Sequence, residues 1–319
     1  MKKIVTYRPI GFIHTPFRDI SGMPIQPAGT RGVAGRVVVD EAYREGLKDI
    51  EGFSQLELKR CHTLRVAENA GFIAAALSFP ESEQRLAEGV GLVHDVGRFT
   101  QLAQHGSFRD ADTVDHGAEG RRVLEAQDLS FLPDPGDRER LLCVVEYQNR
   151  KRTDIPSGLS PERDRFLRLI RDADKLDIME LVLRAVASDG FQDLPGMLPH
   201  IRLCRELSPG VLTEAAKTRS VSNGNLSTLA DFLVMMATWC YDMNYPPPRR
   251  LTVQRDILPR IRRELPDTKD VRELFAGITE AMLKTEREKK TWLTIYSCSW
   301  PACWLVDWED FWVLAVASC

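Results

Sequence analysis

The chain has 319 residues, with 43 lysines and arginines against 46 aspartates and glutamates; a net charge of −3 gives no global attraction to nucleic acid. With 43% hydrophobic and 28% charged residues it has the balance of a protein that builds a full core, which excludes a disordered or fibrous chain. Seven scattered cysteines with no CxxC pair exclude a disulfide framework and a structural zinc site, and fit a reducing cytoplasm. In chain order, MKKIVTYRPIGF has two lysines but no apolar stretch behind them, so no secretory signal is read, and no uncharged run is long enough to span a membrane. IVTYRPIGFIHT and RVVV read as short strands around a Gly- and Pro-rich connection. From about residue 60 the pattern turns helical: HTLRVAENAGFIAAAL, then AEGVGLVHDVGRFTQLAQ as one buried helix, DHGAEGRRVLEAQ, RERLLCVVEYQNR and RDRFLRLIRDADKLDIMELVLRAV. TLADFLVMMATWCYDM, VQRDILPRIRREL and DVRELFAGITEAMLKTEREKK continue it. The predicted fold is mainly α, an all-helical body after a short β-rich N-terminal segment, a partial β-barrel.

The final 28 residues hold five of the six tryptophans, a change of composition that marks an appendage at 289–319. Trp304, Trp308 and Trp312 recur every four residues, so a helix there presents an aromatic stripe broken by Asp307, Glu309 and Asp310. Those acids argue against insertion in a membrane, and the stripe is expected to pack on the body or on a second copy, giving a homo-oligomer.

Six histidines occur in the whole chain, and His62, His94 and His116 each lie in a helical segment beside acidic residues. His94 and Asp95 are adjacent in an otherwise apolar stretch, where burying either without a partner is costly. Asp174 follows in RDADKLD. Imidazoles and carboxylates together suit a divalent ion such as manganese, iron, cobalt, nickel or magnesium better than a thiolate-seeking one. On a helix, His94 and Asp95 would point about 100° apart and reach an ion from two directions.

HTLRV at 62–66, LVHDVGRF at 92–99, FRDADTVDHGAEG at 108–120 and LIRDADKLDI at 169–178 resemble the HD-domain metal-dependent phosphohydrolases. The likeness runs through residues 58–288. It implies His62, His94, Asp95 and Asp174 as ligands of one metal, with Asp174 rather than Asp172 in the Ala-Asp-Lys position, and hydrolysis of a phosphate ester or anhydride, of a nucleotide above all, by metal-activated water. Asp95 would also orient that water. Arg98, Arg65 and Lys175 are candidates for neutralising phosphate charge, against the alternative that the arginines form structural ion pairs. In two-metal relatives His116 and a histidine of a Tyr-His-Asn stretch hold the second ion; this chain reads EYQNR, with Gln148 at that place, so a second site is in question, as is a substitute such as Glu146. A degenerate module that binds a nucleotide without turnover is the alternative reading. Specificity is assigned to loops 100–112 and 150–162.

PIGFIHTPFRD, GMPIQPAG and EAYREGLKDIEGFSQL, all within residues 1–57, resemble the start of TsaA/TrmO-type methyltransferases, which implies a truncated barrel. That family binds S-adenosylmethionine and methylates a modified adenosine in tRNA, so a methyltransferase fragment is a further alternative. Gln26, Pro27, Gly29, Gly32 and Gly35 are candidate ligand contacts, although the glycines read first as turn residues.

Overall fold

A computed structural model describes residues 53–297, apart from 128, 130, 131, 133, 188–197 and 199. Of the β-rich segment expected at 1–57, residues 1–52 with the candidate ligand contacts lie outside the described residues, as does the aromatic stripe at 304–312; residues 53–57 are helical rather than β, the start of a helix at Phe53. Among the described residues the only β pairing is an isolated parallel bridge, Arg202 with Thr228. The other regular elements are helices. No described helix is long and apolar enough to cross a membrane.

The helices are α1 (Phe53–Ala76), α2 (Glu81–Val93), α3 (Val96–His105), α4 (His116–Glu125), α5 (Pro135–Tyr147) and α6 (Pro161–Ala187). After them come α7 (Val211–Thr218), α8 (Leu229–Thr238), α9 (Pro246–Gln254), α10 (Ile257–Arg263) and α11 (Lys269–Ser297). The centre of the body is α6, which opens with a proline in its first turn and has no glycine or proline after it. Phe166, Leu167, Leu169, Ile170, Ala173, Leu176 and Met179 are fully buried along it, so it is apolar on several sides, as a helix enclosed by others must be. α1, α2, α5, α9 and α10 all pack against it.

The α1–α2 contact is close for a sequence reason. A Cβ on Gly91 would sit 2.7 Å from the Ala67 Cα, so only a glycine facing an alanine lets the backbones approach this far. This brings the end of α2 against the middle of α1.

Asp172 holds the second half of the body to the first. Buried in α6, it accepts hydrogen bonds from the backbone N–H groups of Asn244 (2.9 Å) and Tyr245 (2.9 Å) and from the Asn244 side chain (2.8 Å). These residues lead into α9, whose first three positions are prolines without N–H donors, so the only backbone donors at that end are the ones Asp172 takes.

Four expected helices differ in detail. AEGVGLVHDVGRFTQLAQ is two helices, not one, broken at His94–Asp95. VQRDILPRIRREL divides between α9 and α10 at Asp256, whose φ of 51° is left-handed. TLADFLVMMATWCYDM is α-helical to Thr238 and continues as a 3-10 turn, Trp239–Asp242. α11 runs on to Ser297, through the start of the tryptophan-rich stretch.

Candidate metal centre

The break in AEGVGLVHDVGRFTQLAQ is what shapes the centre. α2 ends at Val93, leaving its last carbonyls without helical partners, and the His94 Nδ1 donates to one of them, Gly91 O, at 2.7 Å. Asp95 precedes α3 with φ −103° and ψ 17°, and its carboxylate makes no cap bond to that helix. It turns inward instead. A continuous helix would have kept Gly91 O in its own ladder, so the geometry first expected for the pair is replaced by a tighter one.

α1 supplies His62 from the opposite side. Its Nδ1 faces Asp177 Oδ2 at 2.7 Å, and Asp177 in turn receives Arg65 Nε at 2.5 Å and Nη2 at 3.0 Å. Burial pushes the Asp177 carboxyl up, but the bonds from His62 and Arg65 outweigh it and hold the pKa below the usual value. An ionised carboxylate only accepts, so in the neutral, metal-ligating ring the His62 proton is on Nδ1 and its Nε2 carries a lone pair. The same reasoning at Gly91 O puts a lone pair on the His94 Nε2.

Both lone pairs point into one place. His62 Nε2 lies 3.1 Å from Asp174 Oδ1 and 3.7 Å from Asp95 Oδ2; His94 Nε2 lies 3.6 and 3.8 Å from the same two atoms. Neither Nε2 forms a hydrogen bond, although the two histidines are 1% and 0% exposed. Two imidazole lone pairs aimed at two carboxylates repel unless a cation lies among them. Ligands about 2.1 Å from one ion are about 3–3.5 Å from each other, close to the spacings found. Ligand atoms of His62, His94 and Asp95 all lie within 4.8 Å of one another, and Asp174 joins them through its short approaches to the two Nε2 atoms. The donors therefore fit a divalent ion. Burial lowers the His62 pKa, yet Asp174 and Asp177 outweigh it and raise the value, so the carboxylates draw positive charge to this place, as a proton on the ring or as a cation among the donors.

Asp95 faces basic groups on several sides. Burial raises its pKa, but the Lys59 ammonium, His94, His116 and Arg98 outweigh burial and hold it well below the carboxylate range. Lys59 Nζ donates to Asp95 Oδ2 at 2.8 Å, and Lys59 is 6% exposed. Asp174 is likewise lowered, burial being overcome by His62 and His94.

His116, the first residue of α4, stands beside this set. Its Nδ1 meets Asp110 Oδ2 at 2.6 Å, its Nε2 lies 3.4 Å from Asp95 Oδ1, and the Gln148 side-chain amide is 3.0 Å from that same Nε2. With Asp110 accepting at Nδ1, Gln148 must present its NH2 and donate. Burial first, and Arg98 next, lower the His116 pKa, in keeping with a neutral ring. Glu146 is engaged elsewhere, by Arg121 at 3.1 Å.

The three basic candidates are each held by a carboxylate. Arg65 is on Asp177; Arg98 bonds Asp110 Oδ1 at 2.7 Å and lies 3.9 Å from Asp95; Lys175 bonds Asp242 Oδ2 at 2.5 Å. Sequence reading passed over Lys59, Asp110 and Asp177. Lys59 lies three residues before His62 and Asp177 three after Asp174, one helical turn away on the same faces. That spacing was the available signal.

The family model of the HD domain matches residues 60–179, the span that contains all four converging donors. These residues form an HD domain. The model of the tRNA-methyltransferase O N-terminal domain matches residues 12–86, so its span overlaps the HD domain over α1 and the start of α2. Among curated proteins, the probable S-adenosyl-L-methionine-binding protein of Pyrococcus abyssi (strain GE5 / Orsay) is 46% identical over 55 residues. That match covers 17% of this chain and 30% of the relative. No solved structure matches the chain.

Exchanging Asp177 for asparagine is expected to weaken binding at the centre of the HD domain by about 10–100-fold, because the neutral amide no longer fixes the His62 ring through a charged acceptor. Calorimetric titration with Mn²⁺ measures this. Unchanged affinity would show that the Asp177–His62 bond does not orient a ligand.

Proposed function

We propose that the HD domain is a metal-dependent phosphohydrolase that cleaves a phosphate ester or anhydride of a small molecule, a nucleotide above all, in a reducing cytoplasm. One observation carries the reading: the buried Nε2 atoms of His62 and His94 lack hydrogen-bond partners while facing Asp95 and Asp174. A divalent ion held by these four would supply a Lewis acid and an activated water at neutral pH. The chain's own residues do the rest. Asp177 fixes the His62 ring, Gly91 O fixes His94, and Asp95, beside His116, is placed to orient the attacking water. Arg98 and Lys175 would release their carboxylates to receive phosphate oxygens. Cys61, Cys143, Cys204 and Cys240 are free thiols, which supports the cytoplasmic setting. Purified protein should contain about one equivalent of Mn²⁺, Fe²⁺, Co²⁺ or Ni²⁺, or take it up, and release phosphate from a panel of phosphate esters and nucleotides. Protein that neither holds nor takes up metal would end this reading.

Gln148 bears on the number of ions. By donating to the His116 Nε2, it occupies the lone pair that a second ion would need. Gln148→His is expected to admit a second divalent ion at high metal concentration, read by native mass spectrometry, while the unmodified protein holds one. Two tightly held ions in the unmodified protein would contradict this.

A second reading is favoured by the match at residues 12–86 and by the printed name of the archaeal relative: the N-terminal region binds S-adenosylmethionine. Equilibrium dialysis of the full chain against labelled S-adenosylmethionine tests it, and no retention would leave that region without this ligand.

A further inference from the structure

The buried Lys59–Asp95 pair is not explained by the donor set itself. Lys59 is on α1, one turn before His62, so both side chains enter the centre from the same helix face. Its ammonium takes Oδ2 of Asp95, the same oxygen that faces both Nε2 atoms, at 2.8 Å against 3.7 and 3.8 Å. A carboxylate oxygen has two lone-pair directions, so one goes to Lys59 and the other is left for the ion. We infer that Lys59 is a built-in cation that shares Asp95 with the metal, weakens binding of the first ion and bars a second. The inference rests on the proposed metal centre and extends it to affinity and stoichiometry.

The charges support this. Asp95 and Asp174 offer two negative charges to the ion, and Lys59 cancels one of them at hydrogen-bond distance. The neighbouring Asp110 is matched by Arg98 at 2.7 Å, so it contributes little net charge. One divalent ion then leaves the centre positive, and a second would be added against that field inside a buried, weakly screened site. Gln148, donating to the His116 Nε2, removes a ligand from the same second position. Lys59 and Gln148 thus act on one outcome from two sides, one through charge and the other through the donor set.

Titration of the full chain with Mn²⁺, followed by the loss of the free-ion electron paramagnetic resonance signal, measures affinity and stoichiometry without reference to turnover. Lys59→Gln keeps a hydrogen-bond donor and loses the charge; it is expected to bind the first ion about tenfold to a hundredfold more tightly. Lys59→Arg keeps the charge and should retain the unmodified affinity. Lys59→Gln combined with Gln148→His should take a second ion at lower concentration than Gln148→His alone. Equal or weaker binding by folded Lys59→Gln, checked by circular dichroism, would overturn the inference while leaving the metal centre standing. If Lys59→Gln does not fold, weaker binding by Lys59→Arg at unchanged helicity would overturn it instead. Failure of every form to bind metal would remove both the inference and the proposed function.

Discussion

Asp95→Ala is expected to lose metal retention and hydrolysis together and to destabilise the fold. The carboxylate faces both Nε2 atoms through Oδ2 and His116 through Oδ1, so its loss removes a ligand and the group placed to orient water at once. The stability effect comes from the residue left behind. Lys59 is 6% exposed, and Asp95 Oδ2 is its hydrogen-bond acceptor. Breaking a buried pair by removing one partner costs about 3–5 kcal/mol, because the remaining charge is neither solvated nor neutralised. Relief of repulsion between Asp95 and Asp174 works in the opposite direction, but both carboxylates are already matched by cations or imidazoles, so the unpaired ammonium decides the sign. It also stays in the centre and repels an ion approaching the two histidines. Metal analysis, phosphate release and urea unfolding read the three effects separately. Near-normal turnover would remove Asp95 from the chemistry, and unchanged stability would mean that Lys59 reaches water in the variant.

Which parts of this site could be read from the amino acids depends on how local each signal is. His94 and Asp95 stand out because they are ionisable residues inside an apolar run, where burial without a partner is improbable on energetic grounds, whereas His62 in KRCHTLR and Asp174 in RDADKLD have polar neighbours and are picked out by the likeness to known proteins. Asp172 and Asp174 look alike in RDADKLD, and only a likeness to known proteins separated them; in space one binds Asn244 and Tyr245 and the other faces His62. The helix break at His94–Asp95 has no glycine or proline to announce it. It arises because the His94 ring takes the carbonyl three residues back, a local bond that many histidines do not make, and because α3 turns to meet α4, a tertiary effect. Lys59 carried only the weak signal of its spacing from His62 for a related reason: a lysine on a helix is ordinarily solvated, and only the position of Asp95, 36 residues away, makes it a buried counter-ion.

Gly97→Ala tests how that turn is held. Gly97 is the second residue of α3, and a Cβ there would lie 2.1 Å from the His116 carbonyl oxygen, 2.5 Å from Gly120 N and 3.0 Å from Gly120 Cα. All three are backbone atoms, so no side chain can rotate away, and α3 must separate from α4. Alanine is favoured over glycine within a helix by about 1 kcal/mol, which acts to stabilise the variant. Overpacking costs about 1–3 kcal/mol and occasionally more, and a clash of this depth with backbone belongs at the upper end. The steric cost wins, for a net loss of about 2 kcal/mol, measurable as a lower urea midpoint with an unchanged slope. The functional consequence is local. His116 begins α4 and Asp95 precedes α3, so their 3.4 Å contact, and the Gln148 bond to the same ring, open as the helices move apart. His62 and His94 sit on α1 and at the end of α2, outside the displaced pair. Binding of one Mn²⁺ should therefore persist while turnover falls, if His116 helps Asp95 to place water. A Gly97→Ala protein as stable as the original would mean that α3 and α4 are not in backbone contact, and that the break at His94–Asp95 is held by the His94–Gly91 bond alone.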